Sequence, residues 1–239
     1  RLFLHLISKV CSNHYRGPTF FSKIERILLL FKDDIKKYYS NSTIFNIFKE
    51  NKKIILFLIK EKIMIMDEYV VKRIITEKYI QMKYPQFFAP EIKPYINEKW
   101  FHESDSKDEW FEEVKNELPE NFFELREIGE NENLLCQLIR KDSIKDFIVF
   151  LNKNNISPNS EIKQSIYDTN LLIIKKDVIT EYNYFMFIKN NQKKHYNSIS
   201  LIEYAAFFGS IQIINYLKNE GVELTPSLWL YAIHSKNAE

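Results

Sequence analysis

The stretch SLIEYAAFFGSIQIINYLKNEGV, residues 200–222, decides how this chain is read. Ser200 followed three residues later by Glu203 is a capping box. The hydroxyl accepts from the third helical amide while the carboxylate reaches back to the amide of Ser200. Ala205 and Ala206 then leave room for a second helix to approach closely. Gly209 supplies the left-handed residue that ends the first helix, and Ser210 starts the next. Ile211, Ile213, Ile214 and Leu217 make the buried stripe of that second helix. Gly221 ends it, and Thr225-Pro226 opens a further helix. The expected object is a helical hairpin. A single hairpin leaves an apolar side that it cannot cover, so stacking on further hairpins is obligatory.

The same register extends backwards. Shifted by 67, Leu138-Ile139 fall on the two alanines and Asp142-Ser143 on Gly209-Ser210. Ile144, Phe147 and Phe150 then fall on Ile211, Ile214 and Leu217. Shifted by 158, Ile47-Phe48, Asn51, Ile55, Leu56 and Ile59 echo the pattern more faintly. Forwards, Tyr231-Ala-Ile-His234 begins a new unit after 27 residues.

This spacing resembles the ankyrin repeat, whose consensus reads T-P-L-H-x-A-A-x-x-G-H-x-x-V-V-x-x-L-L-x-x-G-A over about 33 residues. The T-P-L-H start is lost here, and the interval of 27 implies a shortened connecting hairpin. The chain also resembles a protist family in which an uncharacterised helical region precedes ankyrin repeats. That likeness rests on Tyr84-Pro-Gln-Phe-Phe-Ala-Pro-Glu-Ile92, Arg126-Glu-Ile-Gly-Glu-Asn131, Leu138-Ile-Arg-Lys-Asp-Ser143, and Ser200 through Glu239 with Ser227-Leu-Trp-Leu-Tyr-Ala-Ile-His234. It covers about 41–239, leaves 1–40 unsupported, and implies a scaffold-like repeat protein with no catalytic residue carried over.

Apolar spacing of three and four continues through the rest of the chain, so the fold class read here is all-α. Residues 19–39 read as one long amphipathic helix with Phe20, Ile24, Ile27, Leu28, Phe31 and Ile35 on one face. Shorter helices follow at about 43–50, 53–62 and 67–82, the last capped by Asp67. Pro85, Pro90 and Pro94 break the pattern and mark a connector. Three regions result: an N-terminal helical region 1–96, an acidic irregular segment 97–132, and divergent ankyrin-like repeats 133–239. The chain begins without Met and stops inside a helical pattern, which reads as a fragment of something longer.

Composition narrows the functional classes. Of 239 residues, 45% are apolar and 28% charged, the balance of a globular protein. Four glycines are too few for phosphate-cradling loops, and two cysteines too few for a disulfide framework. Cys11 and Cys136 read as small core residues in a reducing, cytoplasmic setting. The longest apolar runs, such as Ile54 to Ile59, fall far short of a bilayer span. The net charge of +2 hides an asymmetry: residues 1–90 carry 17 basic against 8 acidic groups, and 91–132 carry 5 against 14. Either the two regions offset one another, or a basic surface and an acidic flap each await an oppositely charged partner.

The constellations for chemistry are thin. Five histidines show no zinc spacing, and His102-Glu103-Ser-Asp105 is the one cluster with metal-like donors. Asp108, Glu109, Glu112, Glu113 and Glu117 recur at helical spacing. That is a solvated face unless a cleft shifts their acidities, and hydrolysis by the acidic 98–117 segment is the remote reading. Lys49, Lys52, Lys53, Lys60 and Lys62 lie among Phe45, Phe48 and Phe57, which take core positions, so the basic stretch reads as a solvated face rather than a nucleic-acid surface.

Phe207 and Phe208 follow the alanines, at positions that vary in the ankyrin register and point towards the concave binding surface. Either a neighbouring repeat buries them, or they and Glu203 meet a protein partner. The repeat itself rests on Ala205, Ala206, Gly209, Ile213, Ile214, Leu217 and Gly221. The expectation is a non-enzymatic protein–protein interaction scaffold without cofactor, metal, nucleic acid, small-molecule substrate or membrane insertion. The alternative is a structural subunit held permanently in a large assembly such as a cytoskeletal lattice.

Overall fold

A computed structural model describes residues 2–13, 19–76, 79, 82–95, 109–174 and 199–235. The chain is mostly helical. The strands among the described residues are two residues each, Glu161–Ile162 and Ile199–Ser200. Two compact units emerge.

The first unit takes the described residues of 1–12, 18–130 and 165–169. Its helices are α1 (Leu2–Asn13), α2 (Phe20–Leu30), α3 (Lys32–Tyr38), α4 (Asn41–Phe48), α5 (Lys52–Lys60) and α6 (Glu68–Ile74). They continue with α7 (Tyr84–Phe87), α8 (Ala89–Ile92) with a 3-10 turn at Lys93–Tyr95, α9 (Glu109–Lys115) and α10 (Phe122–Ile128). The expected cap is in place: Asp67 accepts the amide of Val70 at 2.9 Å. So is the α4–α5 hairpin, where Asn51 accepts the amide of Ile54 at 3.1 Å.

Several expectations need correcting in this unit. The single helix expected over 19–39 is two helices that break at Phe31. Two aspartates fill the first turn of α3, where the helix dipole favours them. Ile24, Leu28 and Ile35 stay buried, while Ile27 and Phe31 leave the core and the Phe31 ring meets Phe3 edge-on. The prolines do not mark a connector either. Pro85 and Pro90 sit in the first turns of α7 and α8, where a missing amide hydrogen costs nothing. Tyr84, Phe87, Phe88 and Ile92 around them are wholly buried. The segment read as an acidic irregular stretch carries α9 and α10 among its described residues.

The second unit takes the described residues of 13–17, 131–164 and 170–239. It contains α11 (Leu134–Arg140), α12 (Ile144–Lys153), β1 (Glu161–Ile162), α13 (Leu171–Ile174), β2 (Ile199–Ser200), α14 (Leu201–Phe208), α15 (Ile211–Asn219) and α16 (Leu228–Ala232). β1 and β2 pair antiparallel, Glu161 opposite Ser200 and Ile162 opposite Ile199, which ties the entry of α14 to the segment after α12. One apolar core joins both hairpins: Ile139, Phe147, Ala205, Ile213, Leu217 and Tyr231 are among its fully buried members.

Candidate functional site

The two hairpins of the second unit turn in the same way, bond for bond. In α11–α12, the amide of Asp142 donates to Ile139, that of Ser143 to Leu138 and that of Ile144 to Asp142. In α14–α15, 67 residues on, Gly209 donates to Ala206, Ser210 to Ala205 and Ile211 to Gly209. Asp142 and Gly209 both hold a left-handed backbone, φ 50° and 69°. Aspartate tolerates that region better than most side chains because it can bond locally. The second helices also close alike, on Asn155 at φ 51° and Gly221 at φ 81°.

At that far end the offset is 66, since α12 is one residue longer than α15. The buried counterpart of Leu217 is therefore Leu151, not Phe150, which is only partly buried. The α4–α5 hairpin of the first unit repeats the same close on Lys62, φ 54°. There Ile63 donates to Leu58 as Val222 does to Leu217, an offset of 159 rather than the 158 read from the sequence.

Polar contacts fix how α14–α15 sits on α11–α12. Ser210 Oγ donates to the carbonyl of Ile139 at 2.5 Å. The carboxylate of Asp142 accepts the amides of Gln212 and Ile213, each at 3.1 Å, and so caps a helix in the neighbouring hairpin. Arg140 donates to the Tyr204 hydroxyl at 2.8 Å, and its guanidinium lies 5.8 Å from the Phe208 ring.

The residues expected to meet a partner lie inside this unit. Phe207 is 5% exposed, its ring 6.0 Å from that of His234 on the segment after α16. Phe208 is half-buried against Tyr204. Glu203, 1% exposed, closes the capping box on Ser200 and accepts the Ser227 hydroxyl at 2.6 Å. Phe207 is thus packed within the unit, beside His234 of the segment after α16. Glu203 is a structural cap for the same reason, since a buried carboxylate needs donors and finds them on two helices. Burial raises the pKa of the Tyr231 hydroxyl above the usual tyrosine value, and the Glu203 charge raises it further.

The exposed apolar groups are elsewhere. Trp229, on α16, is 77% exposed and Ile233, which caps the end of α16, is 71% exposed; four residues apart with helical backbone, they share one side. Offset by 27, they match Ile202 and Ala206 of α14, both buried. Tyr231 matches Tyr204, and both have no exposure. The repeat arithmetic that carries Tyr204 onto Tyr231 puts Trp229 and Ile233 on positions that are buried in α14, so it gave no sign of their exposure.

In the first unit, polar chemistry concentrates around one lysine that the basic-stretch reading placed in solvent. Lys52 has no exposure, and its Nζ donates to the carbonyl of Ile166 at 3.1 Å. The Tyr84 and Phe87 ring centroids lie 5.4 and 5.2 Å from it. Burial pushes its pKa down to about 7, the Asp168 carboxylate opposing and Lys83 adding to the shift. The rest of the basic stretch behaves otherwise. Lys53 lies over Phe21, and Lys60 pairs with Glu127. Phe45 and Phe48 have no exposure, as expected of core residues.

Of the acidic run, Glu112, Glu113 and Glu117 are exposed, and Glu113 accepts from Gln86 at 2.6 Å. His102, Glu103, Asp105 and Asp108 lie outside the described residues. Among the described residues, no group of three or more His, Cys, Asp or Glu side chains is placed to hold a metal ion. Nor is any described helix long and apolar enough to cross a membrane. No protein-family model, curated protein or solved structure matches the chain.

Proposed function

We propose that this chain is a protein–protein interaction scaffold of divergent ankyrin-type hairpins, working by presented surface rather than by chemistry. The observation that carries the reading is the repeated turn at Asp142 and Gly209, with its cross-hairpin caps. A stack built this way is rigid at its turns and presents its side chains at fixed spacing. Rigid elements hold contact residues better than loops do.

The partner-facing anchor in this reading is Trp229 with Ile233. A tryptophan side chain buries about 200 Å2, so leaving most of it in water forgoes roughly 3–4 kcal/mol of transfer free energy. Aromatic anchors of this kind dominate affinity at interface centres. The test is a photo-crosslinking amino acid placed at 229 or 233 in the intact chain, with the exposed Lys145 position as control. The expected result is a discrete adduct from 229 and 233 and none from 145, with the partner identified by mass spectrometry. No adduct from 229 or 233 would end the reading. Sedimentation of the native protein separates a free adaptor from a permanent subunit of a large assembly.

A further inference from the structure

Residues Ser165–Thr169 form a tight turn that belongs to the first unit, although the residues on either side of it belong to the second. Within the turn, the Asp168 carboxylate accepts the amide of Ser165 at 2.8 Å, and the Ser165 hydroxyl accepts the amide of Tyr167 at 3.0 Å. The turn is buried: Tyr167 is 3% exposed, and Asp168 and Thr169 are each 1%.

Three contacts seat it, one of them a close fit. Thr169 Oγ1 donates to the carbonyl of Gly129 at 2.9 Å. The Tyr167 ring lies 5.8 Å from that of Phe122. A Cβ on Gly129 would come within 3.1 Å of Thr169, so the seat fits closely. Lys52 Nζ reaches the carbonyl of Ile166 from the first turn of α5. That place is doubly unfavourable for an ammonium, being dry and at the positive end of a helix dipole.

We infer that Ser165–Thr169 is a releasable plug of the first unit, and that the protonation state of Lys52 sets how firmly it is seated. When the plug is seated, Lys52 faces the Ile166 carbonyl and the Tyr84 and Phe87 rings, with Asp168 and Lys83 as its charged neighbours. The Tyr84 hydroxyl is engaged with the Lys49 carbonyl, and Arg126, which also lies over the Phe87 ring, is paired with Glu91. When the plug leaves, water reaches the amine and the ammonium regains its full hydration.

The open state thus binds a proton more tightly than the closed one. Burial holds the pKa of the enclosed Lys52 down at about 7, against the 10.5 usual for a hydrated lysine. Below 7 both states are protonated and the equilibrium is flat. Between 7 and 10.5 the open state holds the extra proton, so rising pH favours closure, by at most tenfold per pH unit for one proton. Acidification towards neutrality loosens the plug.

The test is hydrogen exchange with mass spectrometry on the intact chain, read as protection factors at the Ser165 and Tyr167 amides from pH 6 to 9.5. The expected result is flat protection below about 7 and a rise above it. Lys52→Met, which fills the space without ionising, should remove the rise. Asp168→Asn keeps the acceptor for Ser165 but not the charge, and should move the onset to lower pH. Protection that is flat throughout in the wild type, or a slope that survives in Lys52→Met, overturns the proposal.

Should the methionine variant not fold, competitive acetylation of the wild type reads the same equilibrium. Reactivity of Lys52 relative to the exposed Lys36 should fall as pH rises from 7 to 9.5. A constant ratio overturns the proposal as well.

Discussion

The carboxylate of Asp142 caps the amide of Ile213, 71 residues away, while its own backbone makes the left-handed turn that Gly209 makes in the next hairpin. One side chain thus closes its own hairpin and orients its neighbour. Asp142→Ala should lose both roles and cost about 1–2 kcal/mol, measured by urea denaturation. Asp142→Asn keeps a side-chain oxygen and tolerance of positive φ, and should recover most of the loss. Equal stability of the alanine variant and the wild type would remove Asp142 from the stacking account.

Ala205 has no exposure and lies in the core shared by both hairpins. Ala205→Leu inserts volume where none is free, and is expected to lower stability by about 1–3 kcal/mol. A thermal melt reads this directly. A melt superimposable on the wild type would mean that the hairpins are not packed in this register.

Phe207 and Trp229 should respond in opposite ways. Phe207→Ala is expected to cost about 3–5 kcal/mol because a buried ring is lost. Trp229→Ala should stay within about 0.5 kcal/mol of the wild type, being on the surface. With the fold intact, Trp229→Ala should abolish the crosslinked adduct formed through position 233. If Phe207→Ala is neutral and removes the adduct instead, the assignments exchange.

Gly129 ends α10 at φ 73° with Thr169 against it. Gly129→Ala meets both a backbone penalty of about 1–2 kcal/mol and a close contact. The expected outcome is a lowered melting temperature together with faster amide exchange at Tyr167. Gly221→Ala has the backbone penalty alone, because nothing lies within 4 Å of an added Cβ. It should therefore be the milder of the two, and the reverse order would contradict the seat described for Thr169.

What the residues themselves determined about this chain was local. Helical class followed from spacings of three and four, and Asp67, Asn51 and Ser200 begin helices by bonding amides only three positions on. The turn at Gly209-Ser210, and its likeness at Asp142-Ser143, was legible because a left-handed residue must stand where a helix reverses. Such features depend on a few consecutive residues, so they survive being read in one dimension.

Burial was settled only when distant segments met. Phe207 and Glu203 are enclosed by a helix that starts more than 20 residues later, and nothing within α14 distinguishes its covered side from an open one. Lys52 lies in a run of lysines that is otherwise wet, and what takes it out of water is a turn 114 residues away. Pro85 and Pro90 look like breaks to a rule about amide hydrogens, yet the rings around them form core once α7 and α8 fold against their neighbours. Hydrogen-bond chemistry acts over one turn of chain and is written in order. Exclusion of water acts over the whole packed body, and only the tertiary structure decides it.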